Sequence, residues 1–182
     1  MEHCDPMQND ATLQDRVFSS RRLKRVVVFA CGVILLSTPP AEASKNDFGF
    51  TVQITLSPKA AATLARTSEG MVVSATYSGD PIPAAAKHAN EIGQIDLGVE
   101  DVEMPGKAAT AQVTGSKVNR EHLSWVKGPI LLNVNVYSAR RSGPDNILAC
   151  DFFDGKLQQA VRQPVSLHCS LIAENAPTKH KF

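Results

Sequence analysis

Phe48, Phe50, Val52, Ile54 and Leu56 alternate with Gly49, Thr51, Gln53 and Thr55. This period of two puts five apolar side chains on one face of an extended strand, whereas a helix, with about 3.6 residues per turn, would scatter them. The pattern recurs. Met71, Val73, Ala75 and Tyr77 oppose Ser74 and Thr76, and Ile130, Leu132, Val134 and Val136 oppose Leu131, Asn133, Asn135 and Tyr137. Further on, Leu148, Cys150 and Phe152 share one face of a strand expected over 147–153, as do Val165, Leu167, Cys169 and Leu171 over 165–172. Strands with one apolar face need a second layer to cover it.

Turn and cap signals divide the rest of the chain. Ser57-Pro58 supplies an N-cap and a first-turn proline for a short helix over 59–65. The segment from Gly79 to Pro83 is expected to interrupt the second strand, since its two prolines cannot donate to a ladder. Residues 84–91 read as a helical turn or an ordered loop, followed by two short strands over 94–97 and 99–104, a Pro105-Gly106 turn and a strand of small residues over 108–114. Asn119 is placed to cap a short helix over 120–125, and Gly143-Pro144-Asp145-Asn146 forms a turn. Another short helix is expected over 156–161, with Asp154 placed to cap it. Seven or eight short strands with turns between them predict an all-β chain with a few short helices, a two-sheet β-sandwich of immunoglobulin-like or transthyretin-like type.

The front of the chain obeys a different logic. Arg21, Arg22, Lys24 and Arg25 precede an apolar run over 26–36, and Ala41-Glu42-Ala43 provides small residues at the first and third positions before a cut. This arrangement resembles a secretory signal peptide behind a polar prelude. The apolar run is 11 residues long and ends at Ser37-Thr38-Pro39-Pro40, short of the roughly 20 a spanning helix needs. Lipidation at Cys31 and twin-arginine export from Arg21-Arg22 fit less well, because the run continues beyond Cys31 and Lys24 and Arg25 follow the pair. The expected organisation is a leader over 1–43, one domain over 44–176 and a short basic tail over 177–182. No stable membrane anchor remains after cleavage, and the product is expected in the periplasm or outside the cell.

Cleavage would leave 139 residues, with 14 Lys and Arg against 13 Asp and Glu scattered in both signs. A nucleic-acid partner is disfavoured, since such binders carry a basic stripe or excess. Cys4 and Cys31 would leave with the leader, and Cys150 and Cys169 would remain. In an oxidising compartment these two are expected to form a disulfide, since they lack the close spacing of redox and zinc motifs.

Candidate chemistry is sparse. Metal binding would draw on His88, His122 and His168 with Glu91, Glu121, Asp151 and Asp154, but the spacing matches no metal motif. The sequence Asp151-Phe152-Phe153-Asp154-Gly155 lacks most of the oxygen ligands of a calcium loop. No Gly-x-Ser-x-Gly elbow is present, and Gly115-Ser116-Lys117 lacks the upstream glycine of a phosphate loop. No motif implies a cofactor. Trp125 is the best contact anchor, with Arg140 and Arg141 as candidates for an anionic partner. The expected function is a non-catalytic module that binds an unidentified protein or envelope component through end loops or a strand edge. The alternatives are a small hydrolase assembling Asp151, Asp154 and His122 or His168, and a subunit of a surface assembly with an open strand edge. Mass spectrometry of the native product should find an N-terminus at Ser44 and Cys150 joined to Cys169; an intact front end or free thiols would contradict this reading.

Overall fold

A computed structural model describes residues 47–182, so the leader over 1–43, its cut before Ser44, Cys4 and Cys31 lie outside the described residues. The chain forms a two-sheet β-sandwich. Strands β1 (Phe50–Leu56), β4 (Ala109–Val113), β6 (Leu148–Cys150) and β8 (Val165–Leu171) make one sheet in the order β4-β1-β8-β6. Strands β2 (Gly70–Pro81), β3 (Ile95–Pro105), β5 (Val126–Ser138), β7 (Phe152–Lys156) and β9 (His180–Lys181) make the other, in the order β3-β2-β5-β7-β9. Both sheets are mixed, because β1 runs parallel to β8 and β7 parallel to β9. The order departs from the immunoglobulin one: β1 and β2 lie in opposite sheets and β2 pairs with β3, whereas an immunoglobulin constant domain unites its first two strands and separates the second from the third.

The period-two faces meet between the layers. Val52 and Ile54 of β1 and Leu167 of β8 pack in one cluster with Val73, Tyr77 and Val134 from the opposite sheet, all 2 % exposed or less. Burying a side chain of this size stabilises the fold by about 1.5–3 kcal/mol. Tyr77 brings a hydroxyl into this core and satisfies it by donating to the Phe48 carbonyl at 3.0 Å, while its ring meets Phe50 edge to face at 6.4 Å. Burial, together with the Glu100 carboxylate, pushes the phenol pKa up.

Several local expectations are borne out and others are corrected. Helix α1 (Pro58–Thr67) starts at Ser57, whose Oγ accepts the Ala60 amide at 3.0 Å and donates to Glu174 at 2.6 Å. A 3-10 turn over Glu121–Trp125 follows Asn119, whose side chain accepts the Glu121 amide at 3.0 Å. The second strand is not interrupted at Gly79: it runs to Pro81, which lies past the last β3 pair, Gly79–Ile95, so its missing N–H leaves that ladder intact. The two strands expected on either side of Gly98 are one, with the register slipping near a glycine whose φ is +125°.

The strand expected over 147–153 is two strands in different sheets. Asp151, only 5 % exposed, accepts the Lys179 amide at 2.7 Å and the His168 amide at 3.4 Å, and the chain crosses between the layers there. Leu148 and Phe153 are therefore the buried apolar residues, and Phe152 does not share a face with Cys150. Cys150 lies opposite Cys169 in the β6–β8 ladder and is disulfide-bonded to it, which fits an oxidising compartment. Asp154 does not cap the following helix. β7 continues to Lys156, whose amide donates to Gln159 Oε1 at 2.7 Å at the start of α2 (Leu157–Arg162). The tail residues His180 and Lys181 pair with β7.

A buried carboxylate ties the end of α1 to the loop after β5. Glu69 Oε1 accepts the amides of Gly70 at 2.9 Å and Arg141 at 3.0 Å, and its Oε2 accepts the amide of Ser142 at 2.7 Å and its hydroxyl at 2.6 Å. Burial raises its pKa, but the Ser142 hydroxyl and the three amides outweigh that and hold it at about 2. A lowered folded-state pKa stabilises the fold above the unfolded value and loses that effect as pH falls. Urea melts should show Glu69→Gln destabilised by about 2 kcal/mol at neutral pH. The gap between wild type and variant should close as pH falls from 4.5 toward about 2.

Candidate functional site

The alternation that buries one side of β2 and β5 leaves a polar row on the other. Ser74, Thr76 and Ser78 project outward from β2, and Asn133 and Asn135 from β5. Thr76 pairs with Asn133, and Asn133 with Asp154 of β7, so a hydroxyl, an amide and a carboxylate stand side by side across three strands. Asn135 donates to Asn133 Oδ1 within the same row.

A tight loop walls one end of this face. Asn90 Oδ1 accepts the amides of Ile92 at 3.1 Å and Gln94 at 3.0 Å, its Nδ2 donates to Asp96 at 2.7 Å, and its own amide donates to the Gln94 carbonyl at 2.7 Å. Gly93 closes the turn with φ +82°, a conformation that favours glycine. Ile92 is thereby held at the tip, 78 % exposed. Loop and sheet enclose a groove of about 320 Å³ lined by Thr76, Ser78, Gln94, Asp96, Asn133 and Asp154 with Ile92 and Leu131 as apolar walls. Such a surface offers both donors and acceptors to a polar ligand on a rigid sheet, with one apolar contact at its rim.

Trp125, Arg140 and Arg141 do not converge. Trp125 precedes the 13-residue strand β5 and the arginines follow it, which at about 3.3 Å per residue places them roughly 40 Å apart. Trp125 is half-buried against the core, and both faces of its indole are covered. His88 stacks on one at 4.4 Å and 14°, and His122 stacks at 4.2 Å and 17°. His122 Nδ1 also lies 3.0 Å from the Asp96 carbonyl; a carbonyl only accepts, so Nδ1 carries the hydrogen. Arg141 forms an exposed ion pair with Glu103 at 2.6 Å, and its amide is held by Glu69. Arg140 is exposed, with φ 58° in the same loop.

Three of the residues considered for hydrolysis, Asp151, Asp154 and His168, are also dispersed. Asp151 is buried at the crossover, with Lys181 Nζ 3.6 Å away. His168 faces outward on the four-stranded sheet, 2.9 Å from Thr55 Oγ1, and Asp154 faces outward on the five-stranded one. Layers about 10 Å apart separate those two faces, beyond the reach of proton transfer. Among the described residues, no group of three or more His, Cys, Asp or Glu side chains could hold a metal ion.

The polar row was visible in the sequence as the outward set of two strands, but nothing local distinguishes a ligand-facing polar residue from a solvated one. The Asn90 loop is held by bonds spanning two to six residues, whereas the pairing of Asn133 with Thr76 and Asp154 depends on residues distant in the chain. No family model matches the chain, and no curated protein or solved structure matches it.

Trp125 is the only tryptophan, so its fluorescence reports this one position. Replacing His88 and His122 by alanine should redshift the emission and raise acrylamide quenching, at a cost of about 1 kcal/mol per lost stack in chemical melts.

Proposed function

We propose that the chain is an exported, non-catalytic binding module of the cell envelope, periplasmic or secreted, and that the groove beside Asn90–Gln94 holds a polar segment of its partner. The observation that carries this reading is the row of Thr76, Asn133 and Asp154 closed at one end by a hydrogen-bonded loop. Side chains on neighbouring strands keep their spacing without a partner, so little ordering opposes binding. Hydroxyl, amide and carboxylate groups together suit a ligand rich in hydroxyls and amides, as envelope glycans are. The disulfide between Cys150 and Cys169 supports an oxidising location.

Titration of the labelled protein with soluble peptidoglycan fragments, followed by NMR, tests the reading. Shifts should concentrate at Thr76, Gln94, Asn133 and Asp154, and Asn133→Ala with Asp154→Ala should weaken binding by about 10-fold or more, as the loss of one or two hydrogen bonds implies. Shifts mapping elsewhere, or affinity unchanged by the double substitution, would remove the groove from the function.

A further inference from the structure

Each sheet of an open sandwich has two edges, and an unguarded edge is a template for another strand. Three of the four edges here are blunted. β6 has three residues and β9 two, too short to template an extended pairing. β3 is long but covered: Asn119 donates its amide to the Leu97 carbonyl at 2.6 Å, and a Cβ on Gly98 would fall 2.3 Å from the Lys117 carbonyl oxygen. It also carries Asp101 and Glu103 outward and ends at Pro105.

β4 has none of these protections. Its five residues, Ala109 to Val113, include no charge, proline or glycine, and among the described residues its backbone ladder is to β1 alone. Thr110 and Gln112 are exposed, while Ala111 and Val113 face the core.

We infer that β4 pairs antiparallel with β4 of a second copy about a two-fold axis at Ala111, joining two four-stranded sheets into one continuous sheet. The argument for a second copy is self-complementarity. With that axis, Thr110 of each chain lies opposite Gln112 of the other, on the same outer face. The pairing repeats one already present within the chain, where Thr51 lies opposite Gln112 and donates to its Oε1 at 3.1 Å, leaving Nε2 to donate to the partner's Thr110. Gln53 lies opposite Thr110 and accepts from Ser166 at 3.3 Å, so hydroxyls and amides alternate along a row that crosses the axis. Ala111 on the axis faces the core, and no residue of β4 is charged, so no like charges meet within the paired strands. The contact is isologous and closes on itself, giving a dimer and not a fibre. It uses the opposite sheet from the groove and stands whether or not the groove binds a ligand.

Sedimentation and light scattering of the purified protein over a concentration series test it. A monomer–dimer equilibrium is expected, with amide-exchange protection at Thr110 and Gln112 rising with concentration. Thr110→Lys with Gln112→Lys puts lysine opposite lysine across the axis and should abolish the dimer with the circular dichroism unchanged. Thr110→Lys with Gln112→Glu puts lysine opposite glutamate and should restore it. A strict monomer at all concentrations, an open-ended oligomer, or a dimer indifferent to the double lysine variant would overturn the inference. Should the lysine variants fail to fold, concentration-dependent exchange in the wild type decides alone.

Discussion

Asp151 sits where the chain leaves one sheet for the other, and a carboxylate there is tolerated only because its oxygens are met. The His168 amide comes from the neighbouring strand of the sheet being left, the Lys179 amide from the tail, and the Lys181 ammonium from β9. Removing a partner from a buried charge costs far more than an exposed pair contributes, so these contacts are mutually dependent. Cys150 precedes the crossover, and its bond to Cys169 clamps the three-residue strand β6 to β8. Phe152 follows it and stacks on His180 at 4.7 Å, attaching the tail to the far edge of the other sheet. One crossing thus sets one edge of each layer.

Two further carboxylates fasten loops to the sandwich in the same manner. Glu69 gathers the turn after β5, and Glu100, 6 % exposed, accepts the Thr114 amide at 2.8 Å and its hydroxyl at 2.7 Å, linking β3 to the residues after β4. Burial raises the Glu100 pKa, and the donors of Thr114, Gly115 and Ser116 bring it below the ordinary value. An ionised carboxylate accepts several bonds at once, which suits it to binding loop amides that no ladder can satisfy. With the ends fastened, the outer faces and the β4 edge carry no such ties among the described residues. The single tryptophan is half-buried, and two imidazoles stack on its ring.

Legibility in the sequence followed the range of the interaction. The strands over 50–56, 71–77, 130–138 and 165–171 were readable because a period of two is a local consequence of burying one face. The Ser57-Pro58 cap and the Asn119 turn were readable because both act within a few residues. The division of residues 147–153 into two strands is hidden for the opposite reason: the apolar residues permit one continuous strand, and amides 17 and 28 positions away stabilise the break at Asp151. The continuation of β2 to Pro81 was likewise hidden, since whether a missing N–H matters depends on where the neighbouring strand stops.

The amino-acid order alone determined that this chain makes strands with one apolar side, that two layers must cover those sides, and that Cys150 and Cys169 share apolar faces, because each follows from alternation and the exclusion of apolar surface from water. Only the tertiary structure decided which strands are neighbours, that Trp125 and the arginines stand at opposite ends of β5, and that Thr76, Asn133 and Asp154 form one row. Those outcomes rest on contacts between residues far apart in the chain, and many pairings satisfy the same local pattern until the whole core is packed.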